Sequence, residues 1–337
     1  MRFLNVKQAA TSLANGEIIA IPTETVYGLA ADARCDDAVR KIFEAKGRPS
    51  DNPLIVHIGD VSQVDELVTT VSADARLLME HFWPGPLTVI LPNAAHVSEL
   101  VTAGLSTIGL RIPDHYLTTE LLRKSGIPLA APSANLSGKP SPTSVEHVCH
   151  DMAGRIDGIL SGGVTNLGLE STVIDMTTPV PVILRPGCIT KAEIETIIGP
   201  VEVSQGSPDK PKAPGMKHRH YAPNAKLMIV KGRPKFVQSV VQEFGKKKYG
   251  LKIGTLCHVS CKNLYKRAEV VYGIKGTGQN LYDALRVFDQ QNVDLIISEY
   301  FDDVAVMDRL IKASENRILT EDDAKERILS EMANQRN

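Results

Sequence analysis

Short apolar, β-branched runs alternate with amphipathic helical patterns along this chain, and most runs stop at Pro, Gly or a cluster of hydroxyl residues. Strands alternating with helices predict an α/β fold. The spacing predicts strands at 17–21, 54–58, 87–91, 107–112, 127–131 and 157–160, and helices at 6–14, 36–45, 61–68, 73–82 and 116–124. A strand pair, 169–175 with 180–184, and a helix at 191–198 complete a first domain, 1–203. Pro, Gly and Lys crowd residues 204–224, which read as a linker able to fold back over a site. Residues 225–337 form a second domain. Strands at 227–230, 252–256, 270–274 and 295–298 and helices at 234–244, 280–290 and 304–313 predict a small, mainly parallel α/β sheet, and the charged tail after Asn316 reads as helical.

At 337 residues and 43% apolar, the chain has material for two cores. A net charge of −1 gives no global basic field, and 5% aromatic content argues against a base-stacking platform. Five unevenly spaced Cys do not suggest a disulfide framework, so an intracellular, reducing, cytoplasmic setting is expected. The N-terminus lacks the apolar core of a signal peptide, and no run reaches the ~18 apolar residues of a membrane span.

The chemistry gathers where strands and helices end. Lys46-Gly47-Arg48-Pro49 follows a helix and precedes Asn52-Pro53 and a buried strand. Gly lets backbone approach a ligand closely, and Arg offers a planar fork of donors to phosphate or carboxylate. The same residues also suit a plain helix C-terminus. Thr23-Glu24-Thr25-Val26-Tyr27 follows another buried strand, where ligands gather in open sheets, although a self-capping turn fits as well. His57 interrupts an apolar run and reads first as a core residue. Arg111 stands in an apolar strand and needs a partner or a ligand. Pro132-Ser133-Ala134-Asn135 continues through Ser141 to Thr143 and Glu146, which have capping-box spacing. In the second domain, Cys257 and Cys261 have no second ligand cluster beside them.

No phosphate-binding P-loop, dinucleotide fingerprint, nucleophile elbow or His-Glu-x-x-His is present. What remains is a set of cations, hydroxyls and an amide at strand ends: Lys46, Arg48, Arg111, Ser133, Asn135, Ser141 and Arg185. Such a set suits a polyanionic ligand and a reaction run by positioning and charge neutralisation.

Pro22–Leu29, Lys46–Pro49 with Asn52-Pro53-Leu54, Pro132–Asn135, Glu170–Val173, Leu184–Gly187 and the linker Ala213–Tyr221, taken in order, resemble the YrdC-type family in its long two-domain form, the L-threonylcarbamoyladenylate synthases. The resemblance covers the first domain and linker. The second domain is similar only in size and pattern. It implies an N-terminal YrdC-like domain with a twisted mixed sheet and a concave site, and a smaller Rossmann-like C-terminal domain. It also implies that L-threonine, bicarbonate or CO2, and ATP with Mg²⁺ give threonylcarbamoyl-AMP and pyrophosphate. The product would pass to a tRNA threonylcarbamoyltransferase complex that modifies adenosine 37 of ANN-decoding tRNAs.

By the same resemblance, Thr25, His57, Arg111 and Ser171 hold threonine. Lys46, Arg48, Asn52, Thr107, Ser133, Asn135, Ser141 and Arg185 hold ATP, with Lys46 and Arg48 at the reacting phosphates and Tyr221 covering the nucleotide. No protein metal ligand is assigned. A second reading is an RNA-binding maturation factor, against which the near-neutral charge and few aromatics weigh. A carbamoyl-transfer relative used in hydrogenase maturation shares the domain, but its acylphosphatase domain and Cys-x-x-Cys zinc modules are not visible here.

Overall fold

The structure, a computed structural model, describes residues 1–204, 220–246 and 249–323. These fall into two compact units, one of residues 1–137 and 141–204, the other of 138–140 and 220–323. The predicted linker lies at 204–224, and residues 205–219 of it are outside the described residues.

In the first unit the strands are β1 (Arg2–Leu4), β2 (Ile19–Ile21), β3 (Gly28–Asp32), β4 (Ile55–His57), β5 (Leu87–Pro92), β6 (Thr107–Arg111), β7 (Leu129–Ala130), β8 (Gly158–Leu160), β9 (Thr172–Asp175), β10 (Val182–Arg185) and β11 (Glu202–Val203). They pair in the order β1-β8-β2-β3-β7-β4-β6-β5-β9-β10-β11, a mixed sheet. Strand alternation divides its side chains. Val56, Val89, Leu110 and Ile174 join a large core with Val39, Ile42, Leu78, Met79, Val148 and Ile194 of the helices. On the opposite face, Ile19, Ile21, Ala30 and Leu129 pack with helix Val6–Ala14 and with Leu121 and Leu122 of helix Tyr116–Ser125. Farther along that face, Ile55, Ile90 and Val173 form a small cluster with Leu184. Beside it a small cleft is lined by Pro53, Thr88, Thr107 and Gly109.

The second unit has β12 (Lys226–Lys231), β13 (Ile253–His258), β14 (Val270–Ile274), β15 (Leu295–Glu299) and β16 (Ile318–Thr320), in the order β14-β13-β15-β12-β16. Every pairing is parallel. Helix Pro234–Phe244 covers one face, with Val237 and Val241 against Ile253, Cys257 and Ile297. Gly254 points the other way, toward Phe288 of helix Leu281–Gln290, where a Cβ would stand 2.7 Å from the ring. Helices on both faces of a parallel sheet make this unit Rossmann-like.

The structure differs from the sequence expectations in specific places. β1, β3, β11 and β16 were not expected. β3 reads Gly-Leu-Ala-Ala-Asp, without β-branched residues, and lies between β2 and β7, where burial alone makes it a strand. The tail after Asn316 is not helical at once: 318–320 pairs with β12, and 324–337 lie outside the described residues. The cap at 143–146 also shifts. Ser144 is the N-cap of helix Val145–Met152 and accepts from the His147 N–H, whereas Thr143 is buried with its hydroxyl 3.3 Å from His147 Nδ1. Both Cys257 and Cys261 are free thiols. Ser144→Ala should therefore lower stability by about 1 kcal/mol in urea denaturation. An unchanged midpoint would mean that Ser144 does not cap this helix.

Candidate functional site

Helix Asp36–Lys46 ends at Gly47, whose φ of 59° is the left-handed turn that closes a helix. The backbone here is an ordinary helix end, but the Lys46 side chain is buried. Its ammonium donates to the carbonyl of Asn135 at 2.7 Å and to that of Ser133. Among the described residues it makes no ion pair. Burial, followed by the nearby Arg48 charge, holds its pKa well below the usual lysine range, against the pull of Asp151 and Glu170. Arg48 is half-buried and donates to the Asn52 and Pro53 carbonyls at 3.4 and 3.5 Å. Asn52 is buried, and its side-chain oxygen accepts no hydrogen bond from the described residues.

The strands bring the next group together. His57 and Arg111 are partners across β4 and β6, and Ile55 and Gly109 pair on the same face. Two-residue alternation then puts Thr107, Gly109 and Arg111 side by side along β6. Arg111 is buried and donates from Nε to the Gly85 carbonyl at 3.1 Å and from Nη1 to the Thr25 hydroxyl at 3.0 Å. Nη2 lies 2.6 Å from Glu24 Oε1, in an ion pair excluded from water. Thr23 ties this turn with its hydroxyl, donating to the Val26 carbonyl and accepting from the Thr25 and Val26 N–H groups. His57 is buried, and burial followed by the Arg111 charge pushes its pKa down to about 3.

A second cation closes the set. Arg185, at the end of β10, donates from Nε and Nη2 to the Ser171 carbonyl at 3.1 and 3.0 Å, and from Nη2 to the Ser171 hydroxyl at 3.2 Å. The Ser171 hydroxyl lies 2.7 Å from that of Thr88. Ser141, also buried, donates to Glu170. Gly187 packs so closely that a Cβ there would lie 2.3 Å from the Thr172 nitrogen and 2.7 Å from the Ser171 carbonyl carbon.

Thr25, Lys46, Arg48, Asn52, His57, Thr107, Arg111, Ser133, Asn135, Ser141, Ser171 and Arg185 thus all belong to the first unit. Tyr221 belongs to the second. Its buried ring stacks on Tyr282 with centroids 5.6 Å apart, under the Arg309 guanidinium, and its φ is 61°. The sequence placed Glu24 in a stretch suited to a ligand but did not pair it with Arg111, whose position far along the chain hides that contact. Thr88 was not singled out, although the rule that found Arg111, a polar residue inside an apolar strand, would have found it.

Buried cations beside small hydroxyls, Arg111 with Thr25 and Arg185 with Ser171, are groups suited to an anionic small molecule. A family model described as "Telomere recombination" (Sua5_yciO_yrdC) matches residues 11–187, and one described as "Threonylcarbamoyl-AMP synthase, C-terminal domain" (Sua5_C) matches 189–315. Threonylcarbamoyl-AMP synthase of Bacillus subtilis is 50% identical over 329 residues, 93% of this chain and 94% of that protein. The protein of that name from Pyrococcus abyssi is 44% identical, over 93% of this chain and 95% of that protein. The crystal structure of P. abyssi Sua5 complexed with L-threonine superposes with a TM-score of 0.89 at 44% identity, covering 94% of this chain and 95% of that one. This chain belongs to the Sua5/YciO/YrdC family, in the long form that carries the additional C-terminal domain.

Two outcomes follow. Gly187→Ala should destabilise the fold and raise the Ser171–Thr172 backbone hydrogen-exchange rate, because backbone must move to admit the methyl. Unchanged exchange would show that this approach is not tight. The folded pKa of His57 lies below its ordinary 6.5, so its contribution to stability is intact above about pH 6.5 and is lost as pH falls toward 3. The His57 ring resonances should not titrate between about pH 5 and 8. A midpoint near 6.5 would mean that water reaches the ring.

Proposed function

We propose that this chain is a threonylcarbamoyl-AMP synthase, joining L-threonine, bicarbonate or CO2, and ATP into threonylcarbamoyl-AMP with release of pyrophosphate. Relatives of that name span nearly the whole chain. The observation in the site that carries the chemistry is Lys46, a buried ammonium whose hydrogen-bond partners are neutral carbonyls. A buried cation without an acid is costly in the free protein and becomes favourable when an anion arrives.

On this reading the threonine amine takes up CO2 to become a carbamate. A carbamate oxygen then attacks the α-phosphate, forming the new P–O bond as the bond to the β-phosphate bridging oxygen breaks. This is in-line transfer driven by positioning and charge. Thr25, His57, Arg111 and Ser171 take threonine, with Arg111 on its α-carboxylate. Neutral His57 lines that pocket without adding a charge. Lys46, Arg48, Asn52, Thr107, Ser133, Asn135, Ser141 and Arg185 take the nucleotide, with Lys46 and Arg48 at the phosphates.

Mg²⁺ belongs to the nucleotide substrate and supplies charge neutralisation on its phosphates. On this reading the ion arrives on the phosphate oxygens, as Mg²⁺ does with nucleotides. The catalytic domain is 1–203 and the second domain 225–337 on this reading. The product would pass to a tRNA threonylcarbamoyltransferase complex.

Purified protein with ATP and Mg²⁺ should release pyrophosphate only when L-threonine and bicarbonate are both present. Arg111→Ala should cut kcat/KM for threonine at least about 100-fold, the effect of leaving a carboxylate without its charged donor. Release without threonine, or none under any combination, would overturn this reading.

A further inference from the structure

The environment of Glu24 asks for more than its pair with Arg111. Glu24 is only 5% exposed, in the turn that Thr23 ties together. Its Oε1 faces Arg111 Nη2 at 2.6 Å. Neither carboxylate oxygen accepts a hydrogen bond in good geometry from any described residue. An ionised carboxylate can accept about four hydrogen bonds. A buried one with that capacity unused is poorly stabilised until donors reach it. Arg111 is fixed independently through Gly85 and Thr25, so it does not need Glu24 to hold its position.

The other titratable groups nearby leave room for a positive charge. His57 is neutral, as described. His115 is half-buried with its Nδ1 unpaired, and burial lowers its pKa against the pull of Glu24 and Asp114. Neither imidazole competes as a cation near neutral pH.

We propose that Glu24 is the receptor for the α-ammonium of the amino-acid substrate, so that Glu24 and Arg111, paired in the free protein, become a two-point clamp for a free zwitterion. This rests on the synthase reading. The ammonium brings N–H donors to the oxygens that lack them, while the α-carboxylate takes over the Arg111 fork. The clamp also gives the next step a direction. Condensing the ammonium with bicarbonate forms the N–C bond and releases one water and one proton to solvent. The group beside Glu24 thereby changes from cation to anion. Glu24 then repels the carbamate, and Lys46 and Arg185 attract it toward the phosphates.

The test is calorimetric binding of L-threonine and of 3-hydroxybutyrate, which lacks only the amine, to the full chain. The wild type should bind L-threonine at least about 30-fold more tightly than 3-hydroxybutyrate, the scale of a charged hydrogen bond. E24Q should erase most of that difference, weakening L-threonine and leaving 3-hydroxybutyrate unchanged or tighter because Arg111 is released. Equal losses for both ligands in E24Q would make Glu24 only a support for Arg111 and overturn the proposal. Should E24Q not fold, equal affinities of the two ligands for the wild type would overturn it as well. A wild type that binds no L-threonine would instead remove the synthase reading, and this inference with it.

Discussion

The ion pair between Arg111 and Glu24 is the interaction around which the first unit is arranged. Both side chains are nearly closed off from water, at 4% and 6% side-chain exposure. Burying two charges costs more than their attraction returns unless geometry and further hydrogen bonds are good. Arg111 meets that condition through Gly85 and Thr25. Glu24 does not, because among the described residues its oxygens accept no hydrogen bond in good geometry. A structure that tolerates this imbalance stores affinity for an incoming group in place of stability.

Sheet register turns this pair into a site. Arg111 sits beside His57 because β4 and β6 pair in parallel with those residues in register. Thr88 and Ile90 of β5 reach the same face through antiparallel pairing with β6, and Val173 joins from β9. A slip of one residue would send each of them into the helical core. The small residues matter at the same level. Gly109 leaves Thr88, Ile55 and Ile90 room to meet, since a Cβ there would already touch all three. Gly187 lets the loop after β10 close onto Ser171, which Arg185 then holds by its carbonyl and hydroxyl.

The α/β class, the two-part organisation and most helix limits were legible in the sequence, because periodicity and stop residues are local signals. Helix Asp36–Lys46, with two acids in its first turn and a glycine at its end, is an example. The missed strands share a different cause. β1 is three residues at a sheet edge, and β3 consists of small residues whose burial comes from their neighbours. The capping error at 143–146 came from two adjacent hydroxyls: Thr143 has the capping-box partner Glu146 in sequence, but Ser144 is the residue that caps. The residue types of the site were legible too, but not Glu24 with Arg111, nor Thr88 with Ser171, which lie 83 residues apart in the chain.

By itself the sequence determined the inventory: cations, hydroxyls and an amide placed after short buried strands, with glycines and prolines marking where each strand must stop. Those are local consequences of backbone sterics and side-chain periodicity. Only the tertiary structure decided which of these groups are buried and what each one faces. Lys46 looks the same in sequence whether it ends a helix in water or points inward at two carbonyls. Its burial, the low pKa of His57 and the unmet hydrogen bonds of Glu24 arise from long-range packing. Charge acts through the surrounding medium, and that medium exists only once the sheet has assembled.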